Sequence, residues 1–366
     1  MESVKNPSII EITQDENPQI LSLATKLTIS PSEEPELFCS QSKELSKQLP
    51  QRIIDILLSF AKNGSDTGFL LIKNLEISEN VPKTPSSNGH KVGEQTILAR
   101  IQSLFVNTIS DMIAYEAECF GRLFQDVVPV ESMSKNQTSI GSSVELEIHT
   151  EQAFSKLRPD ILSLACLRGD LDAYTHILPV QIILDNLNDD EKKLLREPLW
   201  KTGVDLSFKL TTNLIRPADS HSSWSMTDKE INTSPEGADL NLHRFKLDGH
   251  EFIDGDIRGP LSIISGQHED PLLVFDQDLM TGITEESDKM VKKITDIYYK
   301  YRLRHNLKPG EIILVDNNRA VHGRSPFFPK YDGYDRFLVR CFGTFDYSKS
   351  EYARPNNSRT VGAIYS

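Results

Sequence analysis

Residues 144–151 read Val144-Glu145-Leu146-Glu147-Ile148-His149-Thr150-Glu151. Alternation of apolar and polar residues over this stretch is the period of a half-buried strand. It puts Val144, Leu146 and Ile148 on one face, and His149 and Glu151 together on the other at the strand's end. Working outward, the middle of the chain is rich in similar segments: Val127–Val130, Ile161–Leu167, VDLSFKL (204–210), PLSII (260–264), PLLVF (271–275), Glu311–Val315 and Arg336–Phe342. Phe69–Ile72 adds a short buried strand. Helical periodicity falls on Gln41–Ala61, with Pro50 as a kink or a fresh start, and on Glu94–Tyr115, Pro179–Leu187, Asp189–Leu195 and Asp288–Tyr301. Strands that do not alternate regularly with helices predict a mainly β fold, an antiparallel sheet or barrel flanked by helices, not a doubly wound one. Neither GxGxxG nor GxxxxGK followed by Ser or Thr occurs, so nucleotide-loop readings lose support.

The 366 residues carry 40 Lys and Arg against 53 Asp and Glu, a formal charge of −13, and 38% of them are apolar. That is the composition of a globular chain. An acidic surface repels phosphate backbones and anionic membranes, which disfavours nucleic acid and membrane as partners. No run approaches the roughly 18 apolar residues of a membrane helix. The N-terminus has no basic stretch followed by an apolar one, so no signal peptide is read. Cys39, Cys119, Cys166 and Cys341 form no CxxC pair, which makes the reducing cytoplasm the default location. Cys166, inside ILSLACL, reads as a small buried hydrophobe. We expect a single catalytic domain over 1–366: a mostly helical part to residue 115, a β core over 116–350, and a candidate lid in the polar stretch 216–240. A homo-oligomer is left open.

His149 and Glu151, pointing the same way, would offer a metal an imidazole nitrogen and a carboxylate oxygen. Alone this signal is weak, because nine histidines among 53 acids in 366 residues give roughly one His-x-acid by accident. His268-x-Asp270 is a second, in a turn without a strand frame. A third ligand must come from elsewhere, and His322 in AVHG follows the strand EIILV and the turn DNNR. By itself His322 reads as easily as a structural histidine. Two histidines and one carboxylate on one face of a ferrous ion leave three positions open, the arrangement of non-haem Fe(II) oxygenases. A 2-oxo acid would take two of them and O2 the last. Arg336 and Arg340 lie four apart in the next strand, on one face. Each could pair with a structural acid or grip a ligand carboxylate through its planar fork.

With these residues in view, HTE (149–151) followed by Ala153-Phe154, RPDILSLACLRGD (158–170) and AVHGRSPFFPKYDGYDRFLVR (320–340) resemble the clavaminate synthase-like Fe(II)/2-oxoglutarate oxygenases. The subgroup it is most similar to hydroxylates free amino acids, among them the bacterial L-lysine 3- and 4-hydroxylases. The resemblance runs from about Phe120 to Phe345. It implies a distorted double-stranded β-helix, or jelly roll, with flanking helices and a lid. It implies Fe(II) on His149, Glu151 and His322, with 2-oxoglutarate on Arg336 and Thr175 and O2 as the other co-substrate. For the substrate amino acid it implies Arg340 at the α-carboxylate and Glu118 and Ser139 near its α end. Asp276 would face the side chain, with Asp278 as its neighbour on one strand face. Thr150 and Gln152 read as supporting or surface residues, and His176 and His305 as structural or exposed.

Asp276 and Asp278 beside a side-chain pocket favour a cationic amine. The expectation is hydroxylation of free L-lysine at C4 or C3, with C4 slightly preferred, and release of succinate and CO2. Arginine, ornithine and asparagine are the alternatives. Two readings from other classes compete: a cupin-like binding protein without activity, and a zinc hydrolase that needs neither O2 nor 2-oxoglutarate.

Overall fold

The protein is described from a computed structural model, over residues 8–77, 80–205, 208, 243–247, 250–254, 257–354 and 358–362. The candidate lid at 216–240 lies outside the described residues, as do residues 206, 207, 209 and 210 of the expected strand VDLSFKL. The chain opens with β1 (Ile9–Glu11), α1 (Glu16–Thr25), α2 (Pro35–Ser46), α3 (Gln51–Asn63), β2 (Phe69–Lys73) and α4 (Ile97–Ile109). Next come β3 (Asp111–Tyr115), β4 (Gln125–Val127), β5 (Leu146–His149), β6 (Ile161–Arg168), β7 (Thr175–Pro179), α5 (Val180–Asp185), α6 (Asp189–Leu194) and β8 (Trp200–Gly203). Two hairpin-like pairs follow: β9 (His243–Leu247) with β10 (His250–Asp254), then β11 (Ile257–Leu261), and β12 (Ile264–Gly266) with β13 (Pro271–Leu273). The chain continues through β14 (Met280–Gly282), α7 (Glu285–Tyr301), β15 (Leu303–His305), β16 (Ile312–Asp316), β17 (Ala320–Arg324), β18 (Phe337–Thr344) and β19 (Thr360–Val361).

Several expectations shift for identifiable reasons. Pro50 is the residue before α3, with φ −52 and ψ 131, so the periodicity over 41–61 is two helices and the proline marks a fresh start. Glu94–Tyr115 is not one helix. Ser110 adopts extended backbone at the end of α4, and the buried DMIAY segment runs on as β3. Helix α1 escapes an apolar-periodicity reading because two of its buried residues are polar: Glu16 is ion-paired with Arg52, and Asn17 donates from Nδ2 to the Asn74 carbonyl (2.7 Å). Of the strand expected at 204–210 only residues 204, 205 and 208 are described, none of them in a strand; β8 just before it and β7 were not expected, and the helix expected at Pro179–Leu187 is α5. Cys166 is fully buried, as its apolar neighbourhood suggests, and burial lifts its thiol to about 12.

The elements stack in layers. The larger sheet runs β1-β2-β16-β6-β18-β3-β19, with β4 also paired to β18. One face of it packs on α1–α4 through residues such as Phe60, Leu104, Phe105, Leu314 and Val339. The other face looks across a second apolar layer, containing Leu71, Leu162, Phe342 and Val315, to a smaller sheet ordered β15-β7-β17-β5. The far side of the smaller sheet buries Ile148, Leu178 and Val321 against α5, α7 and the β8 region. Burying both faces of both sheets accounts for the strands that read as continuous apolar runs rather than as alternation. Most pairing is antiparallel; β1–β2 and β3–β19 are parallel.

Gly323 marks the tightest point of the smaller sheet. A Cβ there would lie 2.6 Å from the Leu146 carbonyl oxygen, a backbone atom that cannot swing away. We therefore expect Gly323→Ala to push β17 from β5 and to destabilise the protein by about 1–3 kcal/mol. Thermal melting and divalent-metal titration of the variant would register the loss together.

Candidate metal centre and its pocket

His322 lies directly opposite His149 in the β5–β17 ladder, and the two rings are 4.5 Å apart between centroids. Alternation along β17 turns Ala320 into the layer between the sheets and Val321 toward α7, so His322 and Arg324 share the inner side with Ala320. The ladder is irregular: His322 pairs with His149 but Arg324 with Leu146, so β5 spends one extra residue there. Such a bulge re-aims side chains. Glu145 leaves the alternation as a result. It pairs with Arg302 and accepts a hydrogen bond from Tyr298 (3.3 Å) on the α7 side, where buried His176 also bonds the Tyr298 hydroxyl.

Beyond His149 the strand ends, and Glu151 is positioned by a clamp rather than by alternation. Asn317, fully buried, accepts from the Glu151 N–H (2.7 Å) and donates to the Glu151 and Pro159 carbonyls. Thr150 N–H donates to the Phe275 carbonyl (2.8 Å) and Gln277 N–H to that of Ile148 (2.9 Å), which ties the turn carrying Asp276 to β5. Sequence reading takes DNN (316–318) only as a turn. The role of Asn317 has no local signal, since its partners Glu151 and Pro159 lie 166 and 158 residues away in the chain.

One donor atom each from His149, Glu151 and His322 lies within 4.8 Å of the others. His149 Nδ1 sits 2.8 Å from the Glu147 carbonyl oxygen, a hydrogen bond that puts the proton on Nδ1 and leaves Nε2 as the lone-pair donor. His322 turns Nε2 to Glu151 Oε1 at 3.2 Å, while its Nδ1 is buried without a partner. Burial works to raise the Glu151 carboxyl, but Arg340 and the two histidines outweigh it and bring it down to about 2. Burial, then the neighbouring His149, pushes His322 below the ordinary histidine range. His149 is driven down by burial and up by Glu151 and Asp276, and the carboxylates prevail. A carboxylate held low beside two imidazoles, with one donor atom from each within 4.8 Å of the others, is a donor set that suits a divalent first-row cation.

Around this centre the charges segregate. Arg336 is only 5% exposed. It makes no hydrogen bond or ion pair among the described residues, and burial lowers it to about 10. Thr175 Oγ1 is likewise buried and unpaired. Arg324, at 4% exposure, is solvated by the Gly141, Val144 and Ser139 carbonyls instead of by an acid, and both Arg324 and Arg336 stack against Phe327. On the other side, Arg340 donates from Nε to Gln125 Oε1 (2.7 Å), from Nη1 to Glu151 Oε1 (3.4 Å), and from Nη2 to Glu118 Oε1. Asp276 is buried next to His149, and its Oδ1 also accepts from the Leu279 N–H (2.7 Å). Asp205, past the end of β8, joins them; burial and then Asp276 raise its carboxyl to about 7.

Two expected residues stand apart. Asp278 is exposed, because Asp276 starts a tight turn (Met280 N–H to the Asp276 carbonyl) instead of continuing a strand, so the two do not share a face. Ser139 contributes its carbonyl to Arg324, and its hydroxyl meets none of the cluster's side chains among the described residues. Of the two readings of Thr150 and Gln152, supporting or surface, burial leaves the first: they are 0% and 1% exposed. Asp205 and Gln125 were missed, since a lone acid or amide in a strand-like stretch carries no spacing signal.

Over 329 residues, 90% of this chain and 82% of the relative, the sequence is 42% identical to an L-lysine 3-hydroxylase of Catenulispora acidiphila. The chain belongs to the clavaminate synthase-like Fe(II)/2-oxoglutarate oxygenases. It is a 2-oxoglutarate-dependent dioxygenase of the amino-acid hydroxylase group. An L-asparagine oxygenase of Streptomyces coelicolor is 29% identical over 84% of this chain and 80% of its own length. A family model of taurine catabolism dioxygenases (TauD, TfdA family) matches residues 256–342 of the oxygenase. The crystal structure of an asparagine oxygenase in complex with Fe(II), 2S,3S-3-hydroxyasparagine and succinate superposes with a TM-score of 0.78 and 26% identity, covering 97% of this chain and 99% of that one. The readings as a binding protein without activity or as a zinc hydrolase fall with this membership.

Asn317→Ala in the oxygenase would leave the Glu151 backbone amide and carbonyl without their partner. We expect divalent-metal affinity to drop by about 10- to 100-fold, read by calorimetric titration with Mn(II), while Glu151 itself is untouched.

Proposed function

We propose that this oxygenase hydroxylates a free basic L-amino acid, with L-lysine as the first choice. In this reading His149, Glu151 and His322 hold Fe(II), Arg336 and Thr175 hold 2-oxoglutarate, and Arg340 with Glu118 receives the α end of the amino acid. When bound, ferrous iron with 2-oxoglutarate and O2 supplies the oxidising power that hydroxylates an unactivated C–H bond, and the co-substrate leaves as succinate and CO2. The chain is taken as one catalytic domain whose two facing sheets form the distorted jelly roll.

The observation that carries the reading is the segregation of unpaired charge. Leaving an arginine buried without an anion costs several kcal/mol or about that order, so Arg336 is matched to a ligand carboxylate, and the neighbouring unpaired Thr175 hydroxyl can donate to the same group. Asp276, which is buried, and Asp205, which is half-buried, bring two carboxyls together, and Asp276 raises the cost of ionising Asp205. A cationic side chain placed beside them relieves this repulsion; a neutral one does not. That difference favours lysine, ornithine or arginine over asparagine. Among carbons, C3 takes the place of the earlier preference for C4, because the relative at 42% identity is named for C3.

The test is to reconstitute the enzyme anaerobically with Fe(II), add 2-oxoglutarate, O2 and a panel of amino acids, and assay succinate and a mass gain of one oxygen, with NMR assigning the carbon. Absence of oxygenated product from every basic amino acid would refute the substrate reading. Asp276→Asn is expected to raise the KM for lysine by about 10- to 100-fold, the worth of a hydrogen bond to a charged group, while the KM for 2-oxoglutarate changes little. Equal changes in both would instead mean that Asp276 serves only to hold its turn.

A further inference from the structure

The buried surroundings of Arg340 hold more unpaired polar atoms than a folded interior keeps without a ligand. Both the amide oxygen and the amide nitrogen of Gln152 are buried without a partner, as are Glu118 Oε2 and Gln125 Nε2. The four belong to one neighbourhood. Arg340 bonds Gln125 and Glu118 together, and the Gln152 amide leans on the Glu118 carboxylate closely enough to favour its charged form, short of full hydrogen-bond geometry. Because Gln125 turns its oxygen to Arg340, its NH2 group is the end left over.

Gln152 is also held in a left-handed backbone conformation, with φ +54, which residues other than glycine enter at a cost. An apolar side chain of the same size would avoid the burial of an unpaired amide. Strain and unpaired polar groups persist together where a ligand repays them. The unpaired set comprises two acceptors, Glu118 Oε2 and Gln152 Oε1, and two donor groups, Gln125 Nε2 and Gln152 Nε2. A free α-amino acid presents an ammonium that only donates and a carboxylate that only accepts.

We propose that Gln152, with Gln125, is a substrate-binding residue that engages the α-ammonium and α-carboxylate beside Arg340 and Glu118, and thereby restricts the enzyme to amino acids with both ends free. Acylating the amine removes its charge and leaves one N–H, and converting the carboxylate to an amide removes one of its two acceptor oxygens, so either change strands part of the set. The inference rests on amino-acid hydroxylation but not on lysine, because every α-amino acid carries the same end.

The experiment compares wild type with Gln152→Leu, and with Gln152→Met should the first fail to fold. We expect the KM of whichever amino acid the wild type oxidises to rise by about tenfold or more, with the KM for 2-oxoglutarate within about twofold. We expect thermal stability to hold or rise, because an unpaired buried amide has been removed. Calorimetric affinity for the free amino acid should fall in parallel, and discrimination against its α-carboxamide and its Nα-acetyl form should shrink. Unchanged amino-acid affinity and unchanged discrimination would overturn the proposal. So would a lowered melting temperature with both KM values rising together, which is the mark of a purely structural residue. If the wild type oxidised no amino acid at all, the hydroxylation reading would fail, and the calorimetric comparison would still decide the role of Gln152.

Discussion

The pairing of His322 with His149 across two adjacent strands is the constraint on which the rest of the site depends. A ladder brings opposed residues close without help from side-chain flexibility, and it fixes the ring separation at 4.5 Å. The sheet alone does not deliver the carboxylate, since Glu151 lies beyond the last strand residue. That task falls to Asn317, which grips Glu151 by its backbone from the turn before β17. Two imidazoles come from a regular ladder, and one carboxylate from a side-chain clamp on an irregular turn.

Around this centre the pocket is polarised. Arg324 and Arg336 are buried without an ion-paired acid among the described residues, whereas Asp276 and Asp205 lie near His149 and Glu118 is paired with Arg340. At an effective dielectric of about 20, two unit charges 4 Å apart interact by about 4 kcal/mol, so such a division discriminates strongly between ligands of different charge pattern. The acidic net charge of the whole chain says nothing about this; the local arrangement does.

The strands within VELEIHTE and RFLVRCF could be read from alternation and apolar runs; the first is shorter than expected, Leu146–His149, and the second runs on to Thr344. His149, Glu151 and His322 were legible as candidates because the stretch 144–151 alternates and the flanking blocks resemble a known family, although the strand itself ends at His149 and alternation does not place Glu151. What escaped the reading was non-local. DMIAY looks like the tail of a helix until the larger sheet claims it. Helix α1 hides its inward face behind Glu16 and Asn17, whose partners are Arg52 and Asn74. Asp276 opens a tight turn, so Asp278 does not continue a strand beside it. Gln152 seemed peripheral because an amide carries no signature of burial.

The groups at the centre come from distant parts of the chain: His322 meets Glu151 across 171 positions, and Arg340 meets it across 189. During synthesis the N-terminal helices and β2 emerge first, yet the inner strands β16, β17 and β18 that complete both sheets arrive last. A nascent or prematurely terminated polypeptide that ends before β17 therefore has at most a histidine and an acid of the candidate metal centre, and neither Arg336 nor Arg340. Capacity for oxidative chemistry arises only with the finished fold, so incomplete products of translation are kept from generating a reactive metal site in the absence of the walls that would contain it.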